Sequence, residues 1–251
     1  MAKKYEFTGE TKQIGLFGKI TLKRIRAVVE FGIIKAGELG GWIQEEKNLS
    51  HDGNAWVYGN AEVYGDALVY GDALVYGDAR VCGNAEVRGN ARVYGNAEVY
   101  GNAEVYGDAL VYGDARVYGN ARVYGNAEVY GNAWVYGNAL VYGNALVYGD
   151  AEVYGNAWVY GDARVCGNAE VYKAEHLLVI GGIGSRSSFT TFFRDKDNQI
   201  SVKCGCFLGK LDAFLEEVTG THGESKHALV YRASAVIAKL QIDLIGEVSE
   251  K

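Results

Sequence analysis

The sequence predicts a mainly β chain organised around a repetitive parallel β-solenoid, on three observations. A six-residue unit with the consensus G-[ND]-A-x-V-Y occurs twenty times without a gap in residues 53–172. Gly, Ala and Val hold their positions in all twenty units, and Tyr is replaced only at Cys82, Arg88 and Cys166. The 251 residues include 35 Gly and no Pro, and the absence of Pro together with the regular apolar positions argues against a disordered low-complexity chain.

Each unit divides into one short strand and one corner. In the tetrapeptide A-x-V-Y, side chains alternate faces, so Ala and Val point to one side while x and Tyr point to the other. Ala and Val suit a narrow, dry interior, and the variable x position (Glu, Arg, Leu or Trp) suits an outer face. Gly followed by Asn or Asp is turn chemistry, because these residues tolerate positive φ.

The unit resembles the repeat of left-handed parallel β-helices in hexapeptide-repeat proteins, as residues 57–62 (VYGNAE) illustrate. The resemblance implies a triangular coil of three hexads, and therefore six to seven coils. The placement of charge agrees with it. Seven units carry Asp, and no two of these are separated by three hexads, which is where stacked neighbours would repel each other.

The solenoid is expected to lie between two other segments. Residues 1–52 form a predicted N-terminal β cap, residues 53–180 the β-helix, and residues 181–251 a small α+β domain. β-like stretches occur at 5–8 and 20–25, and the repeat phase continues weakly to Leu177 and Ile183. A hairpin is predicted with strands at 189–194 and 199–207, followed by helices at 211–218 and 226–242.

Nearly the whole chain is also similar to uncharacterised proteins encoded by phages and prophages. The motifs are GELGGWIQEEKNLS at 37–50, the hexads, GSRSSFTTFFR at 184–194 and KCGCFLG at 203–209. This resemblance implies a phage or mobile-element origin and no established activity.

Charge and hydropathy exclude some classes of partner. Residues 53–172 carry 6 Arg against 7 Asp and 7 Glu, a net charge of −8, which disfavours nucleic acid. No apolar run reaches the ~20 residues that a membrane-spanning helix needs, and no secretory signal is visible. We therefore expect a cytoplasmic protein of a bacterial host.

The sequence contains no evident catalytic or metal-binding constellation. Acyltransferases with a similar coil use a His at a subunit cleft, but the hexads lack His, and His51 and His176 lie just outside them. The motif Cys204-x-Cys206 is expected in one strand, with both side chains on one face. Only His222 and His227 could complete a metal site with it, so no metal or other cofactor is predicted. Cys82 and Cys166 are expected to be exposed or half-exposed free thiols.

The outward tyrosines are the main candidate binding surface. Stacking at intervals of three hexads predicts three aromatic columns, and large aromatic patches usually mark interfaces. The candidate residues are one column and three x-position tryptophans: Tyr58, Tyr76, Tyr94, Tyr112, Tyr130, Tyr148, Trp56, Trp134 and Trp158.

The sequence thus favours a non-enzymatic scaffold that self-associates, with a trimer as the first expectation, or binds a protein or glycan through these faces. The alternatives are ligand binding, or as a weaker option acyl transfer, in clefts between subunits. A third alternative places the activity in the C-terminal domain, with the solenoid acting as a spacer.

Overall fold

Alternation along each A-x-V-Y strand gives the solenoid a continuous apolar interior. In the computed structural model, which describes residues 3–244, every repeat Ala and Val from Ala55 to Val171 is buried, at no more than 1% exposure. The x and Tyr side chains face outward, apart from those near the two ends. Burial of these small side chains, by the hydrophobic effect, therefore stabilises the solenoid over its whole length.

Two-residue strands form most of the solenoid, and three longer strands precede it: β1 Tyr5–Ile14, β2 Ile20–Ala27 and β3 Leu39–Ile43. The solenoid strands, in chain order, are β4 Trp56–Val57, β5 Glu62–Val63, β6 Leu68–Val69, β7 Leu74–Val75, β8 Arg80–Val81, β9 Glu86–Val87, β10 Arg92–Val93, β11 Glu98–Val99, β12 Glu104–Gly107, β13 Leu110–Val111, β14 Arg116–Val117, β15 Arg122–Gly125, β16 Glu128–Val129, β17 Trp134–Val135, β18 Leu140–Val141, β19 Leu146–Val147, β20 Glu152–Val153, β21 Trp158–Val159, β22 Arg164–Val165 and β23 Glu170–Val171.

Parallel pairing joins every third strand, which confirms a three-sided coil of three hexads. Glu98 pairs with Arg116, for example, and Val99 with Val117. Three sheets result, in the orders β1-β2-β3-β5-β8-β11-β14-β17-β20-β23, β22-β19-β16-β13-β10-β7-β4 and β21-β18-β15-β12-β9-β6. Their solenoid strands form the sides of the prism, termed face 1, face 2 and face 3 in that order.

The corners require glycine for two separate reasons. Gly101 has a φ of 73°, in the left-handed region that side chains disfavour. A Cβ built on Gly101 would lie 2.9 Å from the backbone nitrogen of Gly119 in the next coil. The coils therefore approach so closely at the corners that no side chain fits.

The Asn or Asp after each glycine stacks in register with its neighbour one coil away. Asn96 Nδ2 donates to Asp114 Oδ1 at 2.9 Å, and Asn132 Nδ2 donates to Asp150 Oδ1 at 2.9 Å. The carboxylate of Asp66 accepts from Lys47 instead, and the other six corner aspartates each face an Asn amide, which avoids the repulsion of Asp stacked on Asp.

The N-terminal segment seals the first coil. The carbonyl groups of that coil would otherwise lack hydrogen-bond donors, because no coil precedes it. The buried Lys4 Nζ donates to the carbonyl oxygens of Ala55 (2.9 Å) and Gly53 (3.3 Å) below face 2. Asn48 Nδ2 donates to the carbonyl oxygens of Ala67 (2.9 Å) and Gly65 (3.0 Å) below face 3. On face 1, β2 pairs antiparallel with β3.

The first coil begins earlier than the repeat pattern indicates. β3 lies inside the segment predicted as a cap, yet it pairs in parallel with β5, with Trp42 opposite Glu62. This pair is separated by slightly more than three hexads, and a short 3-10 turn at Glu46–Asn48 lies between β3 and β4.

The C-terminal part contains β24 Leu177–Ile183, β25 Ser188–Arg194, β26 Ile200–Cys204, β27 Phe207–Lys210, α1 Leu211–His222 and α2 Lys226–Gln241. The four strands form an antiparallel sheet in chain order, and both helices pack on it around Phe192, Val202 and Phe214. The predicted hairpin and both helices are confirmed.

Two details of this region differ from expectation. The repeat phase does not continue to Leu177 and Ile183, because β24 leaves the coil and pairs antiparallel with β25. Phe207 belongs to a further strand, since a turn at Gly205 and Cys206 ends β26. Neither helix in residues 3–244 is long and apolar enough to cross a membrane.

The hairpin between β25 and β26 covers most of the last coil. Arg194, 3% exposed, donates to Glu170 Oε2 at 2.6 Å, and the backbone nitrogen of Lys196 donates to the Asn168 carbonyl at 3.0 Å. His176 is fully buried, and its Nδ1 accepts from the backbone N–H of Tyr172 at 3.4 Å.

We expect Gly101→Ala to lower the free energy of unfolding by about 3 kcal/mol or more. The left-handed conformation costs a side chain ~1–2 kcal/mol, and overpacking against Gly119 adds ~1–3 kcal/mol. Gly161→Ala is the matched control, because Gly161 has a φ of 63° but nothing within 4 Å of its Cβ position. Urea denaturation measures both, and equal losses would contradict close approach as the second reason for glycine.

We also expect the fold to lose stability as the pH falls from 6.5 to 4. Burial, assisted by Arg194, lowers the pKa of His176 to about 4. The unfolded chain binds this proton near pH 6.5 and the folded chain only near pH 4, so acid favours unfolding by up to about 3 kcal/mol.

The difference between wild type and His176→Asn, measured by urea denaturation at several pH values, isolates this group. Asn supplies an acceptor for the Tyr172 N–H and does not titrate. Parallel pH profiles for the two proteins would contradict the assignment.

Candidate functional site

Stacked tyrosine ladders run along all three faces of the prism. On face 2, ring centroids are separated by 4.7 Å for Tyr76 and Tyr94, and by 4.8 Å for Tyr94 and Tyr112. The spacing continues at 4.8 Å from Tyr112 to Tyr130 and 4.9 Å to Tyr148, with ring planes within 5° of parallel. The in-register strand spacing sets this distance, because identical side chains repeat at every coil.

The first tyrosine of this column is turned away from the others. The ring of Tyr58 is almost perpendicular to that of Tyr76, at 86°, and also to that of Trp56, at 90°. Trp56 is fully buried, so its expected place on the outer surface is wrong. Its ring packs against Phe31 at 5.4 Å and Tyr5 at 6.3 Å, because the N-terminal segment covers this end of face 2.

The other two candidate tryptophans do lie on the outside. Trp134 is half-buried on face 1, with the Arg116 guanidinium 5.1 Å from its ring centroid. Trp158 is 49% exposed on face 3, at the last coil. The nine candidate residues therefore do not form one patch: the tyrosine column is on face 2, and each tryptophan is in a different environment.

Arg88, Cys82 and Cys166 stand in place of tyrosine in three of the repeats. Arg88 continues the ladder on face 3, since its guanidinium lies 4.1 Å from the ring centroid of Tyr106. Cys82 is half-buried and Cys166 is fully buried, so the exposure expected for Cys166 is wrong. Burial raises the pKa of both thiols, which keeps them in the unreactive protonated form.

Ladder hydroxyls are used within the chain. Tyr112 Oη donates to Glu128 Oε2 at 2.9 Å on face 2, and Tyr154 Oη donates to Glu170 Oε1 at 3.0 Å on face 1. Each ring is thus held by its stacked neighbours and, in these cases, by an x-position carboxylate of the next coil. What the ladders present to solvent is mainly ring edges.

The x positions distinguish the three faces electrostatically. On face 1, Arg80 lies between Glu62 and Glu98, with N–O distances of 3.8 and 3.2 Å, and Arg116 continues the series. On face 3, Glu104 accepts from Arg88 and Arg122. The charges of these faces are largely neutralised within the chain.

Face 2 is different, because its x-position charges have no ion-pair partner in residues 3–244. Its x column alternates leucine with unpaired charge: Leu74, Arg92, Leu110, Glu128, Leu146 and Arg164. The column lies beside the ladder of five stacked tyrosines that runs from Tyr76 to Tyr148. Sequence reasoning identified the ladder but not this difference, which depends on knowing which columns contain both signs of charge in adjacent coils.

A separate cavity of about 360 Å³ lies in the C-terminal domain, between the β24–β25 hairpin tip, the turn after β26 and both helices. It is lined by Cys204, Cys206, His222 and Tyr231, with Arg186 at its side. Cys206 lies in the turn, so the expectation that both cysteines share a strand face is wrong. Cys204 Sγ is 3.6 Å from Tyr231 Oη, and burial raises the pKa of Tyr231 to about 12.

The cysteine and histidine side chains do not assemble into a metal centre in the part of the chain described. The rings of His222 and His227 are 6.0 Å apart, and no group of three or more His, Cys, Asp or Glu in residues 3–244 is arranged to hold an ion. The lining of the cavity combines apolar side chains, such as Phe214, with polar ones, such as Glu217 and Thr221.

The two histidines next to the repeats both bond within the end segments. His51 stacks on Tyr5 with centroids 4.3 Å apart, accepts from the Lys4 backbone N–H, and contacts Glu46 at 2.8 Å. His176 is buried under the last coil.

We expect the folded protein to resist tyrosine ionisation and then to unfold cooperatively at high pH. Burial raises the pKa of Tyr76 and Tyr94, and that of Tyr118 to about 12, above the ordinary value of 10. The folded state holds these protons when the unfolded state has released them, so stability is full below pH 10 and falls as the pH rises through 12.

Tyrosinate absorbance and circular dichroism, followed together from pH 9 to 13, provide the measurement. The two signals should change in one transition well above pH 10, while the chain in guanidinium titrates near 10. Gradual ionisation near pH 10 with unchanged dichroism would contradict desolvated ladders.

Comparison with known families agrees with this architecture. The model of the YdcK β-solenoid repeat family matches residues 67–83, 103–119, 115–131, 121–137 and 133–149. No curated protein matches the chain. The matched stretches lie wholly inside the solenoid and leave both terminal segments uncovered. The chain is a β-solenoid repeat protein, similar over these stretches to the YdcK repeat family.

Proposed function

We propose that the protein is a non-enzymatic scaffold that associates with other copies of itself through face 2. A trimer is the favoured assembly, and a heterologous protein partner is the alternative occupant of the same face. The proposal includes a left-handed coil, supported by the three-hexad period shared with hexapeptide-repeat proteins. It also includes an origin in a phage or mobile element, supported by the motifs at 37–50, 184–194 and 203–209.

The observation that carries the proposal is the composition of face 2. Leucines, tyrosine edges and unpaired charges of both signs alternate along it, while the charges of faces 1 and 3 are largely paired within the chain. Apolar and aromatic area supplies the driving force of an interface, and charges of both signs give it specificity. Arg92, Glu128 and Arg164 can find on a second copy the ion-pair partners they lack within the chain.

Stacking also bears on the nature of the partner. A sugar ring binds to the open face of an aromatic ring, but neighbours at 4.7–4.9 Å cover the ring faces inside the ladder. A protein surface needs only ring edges and the leucine column. This favours a protein, including a second copy, over a glycan.

Light scattering on the full chain tests self-association. We expect three times the chain mass at about 10 µM, a concentration at which micromolar interfaces are populated. Leu110→Lys on face 2 should shift the equilibrium to monomer, because it removes apolar contact area and gives Glu128, directly opposite in the next coil, an ion-pair partner within the chain. Leu140→Lys, the matched change on face 3, should leave the trimer intact.

A wild-type monomer at about 100 µM would rule out self-association as the function of this face. Equal effects of the two substitutions would rule out face 2 as the interface.

A second candidate function is small-ligand binding in the C-terminal domain, with the solenoid as a spacer. The cavity of about 360 Å³ beside Arg186 and His222 favours it. Native mass spectrometry of the protein from its own host would show a bound small molecule. In that case Phe214→Ala should abolish the adduct, while removal of three hexads, one full coil, should leave it unchanged.

A further inference from the structure

Each coil of the solenoid donates backbone hydrogen bonds to the next coil. On face 3, the backbone nitrogens of Leu140, Tyr142 and Asn144 donate to the carbonyls of the following coil at 2.9, 2.9 and 2.8 Å. The acceptors belong to Ala157, Val159 and Gly161. The last coil therefore needs substitute acceptors on all three faces.

Two of the three faces receive such substitutes. On face 1, Ala169 bridges Asp195 of the C-terminal hairpin, and the Tyr172 N–H donates to His176. On face 2, the Arg164 N–H donates to Thr191 Oγ1 at 3.0 Å. The opposite end of the prism is sealed on all three faces, by β2, Lys4 and Asn48.

Face 3 ends without such a seal. The backbone N–H groups of Trp158, Tyr160 and Asp162 have no acceptor in residues 3–244. The chain turns away at the 3-10 turn Ala174–His176, and β24 then pairs with β25 instead of adding to β21. β21 is therefore an open strand edge.

The space beside this edge is empty, and the aromatic side chains on it are half-exposed. A Cβ built on Gly143 would lie 3.0 Å from Gly161 in the next coil, whereas nothing lies within 4 Å of the equivalent position on Gly161. Trp158 and Tyr160 are each 49% exposed. Proteins usually cover or charge such edges, since they recruit other strands.

We propose that the β21 edge binds an extended basic peptide segment of a partner protein by parallel strand addition. The three free N–H groups would donate to its backbone carbonyls, as those of β18 donate to the coil of β21. The segment would place Arg or Lys over Trp158 and an amide or basic side chain beside Asp162.

The chemistry of this segment is inferred from neighbouring coils of the chain. On face 1, Arg116 lies one coil before Trp134, with guanidinium and ring 5.1 Å apart, so a guanidinium one coil away from an x-position tryptophan reaches its ring. The segment would place the same group on the other side of Trp158, one coil after it. In the corner column of Asp162, both earlier aspartates, Asp72 and Asp108, are followed one coil later by Asn. A basic segment is also attracted by the net charge of −8 on residues 53–172.

A single strand fits this edge better than a second solenoid stacked end to end. The C-terminal sheet occupies the end of the prism over faces 1 and 2, where β25 contacts β22 and β23. Another prism would need that same space, while one added strand needs only the edge of face 3. This inference does not depend on lateral association through face 2, so either can fail alone.

Hydrogen exchange on the wild-type full chain tests the edge directly. The amides of Trp158, Tyr160 and Asp162 should exchange at least about 100-fold faster than those of Leu140, Tyr142 and Asn144, their bonded counterparts one coil earlier. Equal protection of the two sets in dilute protein would overturn the proposal. Protection that grows with protein concentration would also overturn it, by showing a second copy in place of a peptide.

Binding is tested with two blocked hexapeptides taken from the chain itself. The probe is Ala-Arg-Val-Tyr-Gly-Asn, the sequence of 121–126, and the control is Ala-Glu-Val-Tyr-Gly-Asp, the sequence of 103–108. We expect the probe to bind saturably, to slow exchange at the three edge amides, and to bind at least about 10-fold more tightly than the control.

Trp158→Ala should weaken probe binding about 10-fold, whereas Trp134→Ala, at an x position inside face 1, should change it less than about 2-fold. The proposal is wrong if neither peptide slows exchange at the edge amides, if both bind equally, or if the two tryptophan variants behave alike.

Discussion

The close, in-register stacking of coils at a period of three hexads is the constraint on which the rest of the structure depends. Corner glycines have no room for a Cβ, with neighbouring backbone at about 3 Å in most coils. This fixes identical residues directly above one another. Once it holds, Ala and Val must fill the interior, Asn must alternate with or replace Asp at the corners, and Tyr must stack on Tyr.

The same constraint arranges the outward side chains in columns of residues that are three hexads apart. A column that mixes Glu and Arg in adjacent coils neutralises itself, as on face 1. A column that separates its charges with leucine cannot, as on face 2. One repeated backbone therefore carries surfaces of different character, and the order of hexads decides which character falls on which side.

At the two ends of the stack, the backbone N–H and C=O groups have no adjacent coil to bond with. The N-terminal end is sealed by side chains that imitate a missing coil: Lys4 and Asn48 each donate to two carbonyl groups. The C-terminal end is sealed by a folded domain over two faces only. The unusual features of the molecule, namely a buried lysine, a buried histidine and an open strand edge, all lie at these ends.

The sequence by itself determined the solenoid, its three sides, its buried Ala and Val and its tyrosine columns, because a short exact repeat leaves one periodicity to satisfy. It also predicted the C-terminal hairpin and helices from local patterns. Only the tertiary structure decided how the ends are closed: the burial of Trp56 and Cys166, the early start at β3, and the departure of β24 from the coil. These features depend on contacts between segments distant in the chain, which no local period encodes. The unpaired charges of face 2 and the free edge of β21 were likewise found only in the structure, because each depends on which groups have no partner within the fold.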